Sequence, residues 1–502
     1  YNALMNNTTA NSNTAVGRDA LRTTTTGQEN TAVGHNALYS NTANENTAVG
    51  YRAMITNTSG TGTAVGTMAL GTGNTGVGYS VLKANTTGSD NSAIGKGALQ
   101  NNTTASNNIG VGRNALYTNT TGTRNTVVGK DAAYANTTGN NNTIYGYNGL
   151  ANNTTGGNNV AVGAYALDAN TTATDNTAVG YDALTSNTTG FGNTAVGRGG
   201  LDTVTTGGYN TAVGHTALGA LTTGQFNVAV GYGALDAQTT ASTNTAVGHA
   251  AGSDLTTAGN FTALGYEAGT NVTTGNSNTC VGKYSLLTCT TGADNTSFGN
   301  NSLYSTTTAS NNTAVGSSAS MMNTTGEGNT ALGQYALYAN TTGSNNVALG
   351  KNALDANTTG SNNVALGKSA LTTATTADNN IAIGIEACHL LSTGAENTII
   401  GTYAGDALTT GSNNTGIGRA ALGAATTSSD NTAVGYFALL ANTTGTDNTA
   451  VGKNAGDALT TGSNNLILGH NAAASAVDVS NEITLGDTAI TKFRVPGLNF
   501  SI

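Results

Sequence analysis

Apolar residues recur along this chain at a fixed phase. In residues 333–367, GQYALYANTTGSNNVALGKNALDANTTGSNNVALG, the second half repeats the first at a separation of 17: Gly333, Gly350 and Gly367 fall in step, as do Leu337, Leu354 and Leu371. Such self-similarity marks a protein built by stacking one small unit. Counted from that glycine as position 0, the unit reads Asn(−4)-Thr(−3)-Ala(−2)-Val(−1)-Gly(0)-x-x-Ala(+3)-Leu(+4). An Asn(+7)-Thr-Thr-Gly(+10) turn and a short Asn/Ser/Asp segment follow. Glycine 0 occurs 29 times between Gly17 and Gly486 and keeps a spacing of 17 from Gly78 onward. The spacings of 16, 16 and 12 before Gly78 remove turn residues and leave the Thr-Ala-Val and Ala-Leu pieces whole, as expected if those pieces are paired strands.

The pattern predicts two short strands per unit, one at Thr-Ala-Val and one at Ala-Leu, joined by turns. Helix is disfavoured, because a glycine every few residues costs about 1 kcal/mol each in a helix. Period-two alternation places Ala(−2) and Ala(+3) inside a thin coil and Val(−1) and Leu(+4) outside it. On this reading the ladders Val162, Val179, Val196, Val213, Val230 and Leu167, Leu184, Leu201, Leu218, Leu235 form an apolar stripe. A stripe so long needs cover, and a closed cyclic assembly of identical chains supplies it on its axis. Asn(−4) is expected to stack into an amide ladder. The expected fold is all-β: a β-solenoid (parallel β-roll or β-helix) of 17-residue repeats in an elongated homotrimeric fibre. At about 4.8 Å per coil its 29 coils would span roughly 140 Å.

Three regions are expected: irregular repeats over 1–77, the regular shaft over 78–486, and a cap or neck over 487–502. In the last, Phe493, Val495, Pro496, Leu498 and Phe500 supply bulk that the repeats lack. Tyr1 falls at +1 of a unit whose glycine is absent, so the native N-terminus is expected upstream.

Composition removes several functions. Gly 70, Pro 1, no Trp and 8% charged residues lie outside ordinary globular usage, yet the fixed phase of the apolar residues argues against disorder. The net charge of −9, with no basic run, argues against nucleic acid as a partner. No apolar run is long enough for membrane insertion. Cys280, Cys289 and Cys388 stand at −2, +7 and +4, without a CxxC, and are read as substitutes for Ala, Asn and Leu. His35, His215, His249, His389 and His470 occupy variable positions. His215 and His249 lie two coils apart, about 10 Å, too far to share a metal. No cofactor or metal is expected.

Asp168, Asp202 and Asp236 recur at +5 every second coil, near the carboxylate separation of inverting glycosidases, about 6.5–9.5 Å. A regular ladder gives that spacing by construction, and no insertion or pocket is expected beside it. A polysaccharide depolymerase is therefore disfavoured. Ice binding is disfavoured too, because Thr(−3) pairs with Val(−1) and outward Thr-x-Thr rows are lacking. The Asn-Thr-Thr triplets match a glycosylation acceptor and are read as turns. Positions +1, +2 and +5 vary from copy to copy and carry most of the tyrosines, with Tyr79, Tyr181, Tyr232 and Tyr436 as candidate surface contacts.

The NTAVG-x-x-AL unit resembles the head repeat of trimeric autotransporter adhesins, which implies a left-handed parallel β-roll with three chains around one axis. Arrays of NTAVG-x-x-AL-x-x-NTTG resemble bacteriophage tail-fibre proteins more specifically. The segment from Asn481 to Phe500 is similar to the junction that leads to further C-terminal domains in such fibres. The resemblance implies an extracellular, non-enzymatic shaft for host attachment, on a virion or alternatively on a bacterial surface. Its partners would be itself, as a homotrimer, and host surface glycans or proteins. Specificity is expected beyond Ile502, so these residues alone are expected to bind host cells weakly or not at all.

Overall fold

The computed structural model describes residues 1–58, 60–67 and 72–492; the sequence expectations for Phe493, Val495, Pro496, Leu498 and Phe500 fall outside them. Two compact units, Tyr1–Gly259 and Asn260–Ile502, divide the chain. Each is a parallel β-solenoid with one repeat per coil and no helix among the described residues.

In the first unit the strands run from Thr14–Val16 to Thr245–Val247. Each pairs in parallel with its equivalent in the adjacent coil: Thr194, Ala195 and Val196 lie opposite Thr211, Ala212 and Val213. Where the repeat shortens to 12, Gly62–Thr67 still pairs residue for residue with Asn74–Tyr79. The loss thus leaves the strand pairing whole, as the indels suggested. In the second unit the same ladder runs from Thr262–Leu264 to Ile483–Leu485.

The Ala-Leu piece is not a strand. Positions +2 and +4 are left-handed in coil after coil, for example Asp182 (φ 55°), Leu184 (φ 54°) and Leu201 (φ 52°). This conformation costs a non-glycine residue about 1–2 kcal/mol. Two left-handed residues flanking +3 abolish the alternation of an extended chain and turn Ala(+3) and Leu(+4) the same way, into the coil. Leu167, Leu184, Leu201, Leu218 and Leu235 are consequently fully buried within a single chain. The expected outer leucine ladder is an inner one, and burial of each leucine offsets the strain of its backbone, at roughly 1.5–3 kcal/mol per side chain. The piece still joins coil to coil, since the Leu201 amide donates to the Ala217 carbonyl at 3.1 Å.

The interior has an apolar half, Ala(−2), Ala(+3) and Leu(+4), and an amide half built from Asn(−4) and Asn(+7). Its filling is conserved in volume rather than in identity, as close packing requires. In the first unit Ile144 replaces Ala(−2) where Gly149 replaces Ala(+3), and a Cβ on Gly149 would lie 2.8 Å from Ile144 Cγ2. In the second, Phe261 fills an Asn(−4) place and Gly269 stands where leucine otherwise does, 2.5 Å from the ring on the same construction. Glycine 0 is required on two counts. Gly197 has φ +135°, a region open to glycine almost alone, and a Cβ there would sit 2.3 Å from the Gly214 carbonyl oxygen.

Candidate interaction surfaces

The Asn(−4) ladder fixes the interior against which the outer faces are set. Asn210 Nδ2 donates to Asn193 Oδ1 at 3.2 Å and to the Gly224 carbonyl at 2.9 Å. Its Oδ1 accepts from the Asn227 backbone amide and Nδ2, both at 3.0 Å. Every polar atom of this fully buried amide is satisfied by the coils on either side. Asn(+7) forms a second ladder, as in Asn357 Nδ2 to Asn340 Oδ1 at 2.8 Å. It fails where the next coil supplies no amide. Asn187 Oδ1 and Asn357 Oδ1 are buried without a partner, and the residues following them in the row are Val204 and Ala374. In the second unit the Asn(−4) ladder resumes after Phe261 and ends at Glu482, whose carboxylate leaves the row to accept from Ser475 and Thr484.

Against this frame the outer side chains sort into faces. Thr(−3) and Val(−1) flank the inward Ala(−2) and point out together. Val196 and Val213 are 38% and 36% exposed, and Val162, Val179 and Val230 are half-buried. The valine half of the expected stripe is therefore on the surface, without its leucine half. Position −1 is aliphatic in 27 of the 29 copies, including Leu264 and Leu332, and aromatic in the other two, Tyr145 and Phe298.

On the turn side, Tyr79, Tyr181, Tyr232 and Tyr436 are all exposed, as the sequence suggested. They stand in rows of stacked side chains. Tyr232 lies between His215 and His249, with ring centroids 5.4 and 5.3 Å away and planes within about 12° of parallel. Arg198 sits 5.9 Å from the Tyr181 ring, and in the second unit Arg419 donates to the Tyr436 hydroxyl at 2.9 Å. No cluster of three metal-ligating side chains occurs among the described residues.

Contrary to expectation, the pattern near Asp202 and Asp236 is broken. Gly219 takes the +5 place between them, and a shallow open groove of about 560 Å³ results, lined also by Thr203, Thr216 and Asp254. Burial is the largest cause raising both carboxyls above their ordinary range, and the Asp236 charge adds to the effect on Asp202. His215 draws Asp236 the other way. Asp168 is raised by burial and by the Asp182 charge. The groove is open and carries no recess that would exclude water from a substrate. Cys280, Cys289 and Cys388 are buried free thiols in the interior places of Ala, Asn and Leu.

Comparison with protein-family models finds no match, and no curated protein sequence is significantly similar to the chain.

Proposed function

We propose that the chain is a structural shaft that associates with copies of itself through the outer face of its strands and serves attachment rather than catalysis. The observation that carries this reading is position −1. It points outward and is aliphatic or aromatic in every copy, whereas +1, +2 and +5 change side-chain class from copy to copy. An outward position kept aliphatic or aromatic 29 times is best explained by a partner surface repeating at the same interval. A second copy of the same solenoid has that interval. Three-fold closure and a place on a phage tail fibre rest on the resemblance of the NTAVG-x-x-AL array, with a bacterial surface adhesin as the alternative setting. With the +4 leucines inside their coils, the shared surface is the Thr(−3)/Val(−1) face alone.

Sedimentation equilibrium tests the assembly. The expected mass is three times the 49.5 kDa chain, and the double variant Val196→Asp/Val213→Asp should dissociate while keeping the wild-type circular dichroism of parallel strands. A 49.5 kDa species for the wild type at micromolar concentration would overturn the proposal.

A further inference from the structure

The charge of −9 conceals a sorting by position. Ten of the 16 lysines and arginines, and four of the five histidines, stand at +1, while no aspartate or glutamate does until Asp487. Carboxylates gather instead at +2, +5 and +12. The variable row is thus variable in identity and constrained in sign.

The sorting is densest in the first unit, where the +1 residues of five successive coils are Tyr79, Lys96, Arg113, Lys130 and Tyr147, all exposed. Three cations are bracketed by two tyrosines: Lys96 Nζ lies 5.9 Å from the Tyr79 ring, and Lys130 Nζ 4.9 Å from that of Tyr147. Beside them at +5, Tyr117 and Tyr134 stack with centroids 5.1 Å apart and planes 4° from parallel, and Gln100 Nε2 donates to the Tyr117 hydroxyl at 3.0 Å. A shallow groove of about 340 Å³ opens between Tyr134 and Tyr147. Across the +1, +2 and +5 places of these coils the single carboxylate is Asp131, 3.4 Å from Arg113 and 3.6 Å from Lys130. It partly neutralises two of the cations and orients them. Like charges about 4.8 Å apart repel one another, so holding them in a row without a ligand costs stability.

We propose that the face from Tyr79 to Tyr147 binds a linear polysaccharide bearing carboxylates. Cations in register with the coils meet its acidic groups, and the tyrosine rings stack on sugar faces. A polyphosphate fits less well. Double-stranded DNA carries a charge about every 1.7 Å, a spacing far denser than one cation per coil of about 4.8 Å. Affinity per coil is small and accumulates along the row, which extends the expectation of weak binding by this chain without requiring any particular assembly state.

The test uses the 502-residue chain and three probes: polygalacturonate, its fully methyl-esterified form, and single-stranded oligothymidylate. Wild-type protein should retain polygalacturonate in affinity electrophoresis and release it as salt rises, with little retention of the ester. Lys96→Gln/Arg113→Gln/Lys130→Gln should weaken binding by about tenfold or more. Arg22→Gln/Arg52→Gln/Arg124→Gln removes the same charge from other positions and should leave binding within about twofold. Equal loss in both triple variants, no retention of polygalacturonate, or tighter retention of oligothymidylate would each overturn the proposal.

Discussion

Replacing Asn210 by Ala removes four hydrogen bonds: two donated by its Nδ2, to Asn193 Oδ1 and the Gly224 carbonyl, and two accepted by its Oδ1 from Asn227. At about 1 kcal/mol net for each bond, the local cost is about 4 kcal/mol. The stranded Asn227 amide, in a fully buried residue, pushes it higher. In a solenoid the damage stays near the altered coil, so a global melting curve is the wrong readout. Native-state hydrogen exchange on peptides spanning Thr211–Val213 and Asn227 should show protection falling by about 10³-fold, since each 1.4 kcal/mol is tenfold. Asn210→Asp separates the ladder from simple volume. A carboxylate still accepts from Asn227 but faces Asn193 Oδ1 and the Gly224 carbonyl, two acceptors, so its folded-state pKa must rise. Below the unfolded value near 4 both states are protonated and the variant is at its most stable. Stability is then lost as pH climbs from about 4 through the raised folded value. Acceleration of less than about tenfold in the Ala variant, or indifference of the Asp variant to pH, would refute the assignment of these amides as a structural ladder.

Leu201→Ala should cost about 3 kcal/mol locally and Val213→Ala less than about 1 kcal/mol in the unassembled chain, by hydrogen exchange; equal effects would mean that Leu201 is not interior. Asp202→Asn/Asp236→Asn should stabilise its coils at pH 7 and have no effect at pH 3. The folded carboxyls are raised by burial, so the folded state holds the protons longer and wild-type stability falls as pH rises through that window; an unchanged pH profile of exchange protection would count against it. Burial pushes the Cys289 thiol up to about 11 and raises Cys280 and Cys388 further. None of the three should titrate with Ellman's reagent at pH 8 until the chain is unfolded, and rapid reaction of the native protein would contradict their placement.

The repeat, its register and the strand at Thr-Ala-Val could be read directly, because indels spare that piece and turn chemistry brackets it. The second strand could not be sustained, and the error propagated: period two holds only for extended backbone, and Leu(+4) is not extended. A signal was present. Position +4 is glycine at Gly252, Gly269, Gly405 and Gly456, and position +2 is rich in Asn, Asp, Gly and Ser, the usual occupants of left-handed backbone. The paired exchange of Phe261 with Gly269 points to a shared interior as well. The cationic row was hidden for another reason. Residues such as Lys96, Arg113 and Lys130 are 17 apart, so no sequence window contains a basic run, and only the coil brings them together.

Where adjacent coils carry the same interior residues, each meets its neighbours through equivalent positions, and the surface exposed by parting them matches that of the next such pair. A whole 17-residue block can be lost or duplicated there without leaving a misfit. Tracts as alike as 333–350 and 350–367 give homologous recombination and replication slippage a ready template for such events. Coil number is then a heritable quantity that can change in unit steps with no new interface to evolve. Related genes should differ from one another first in copy number.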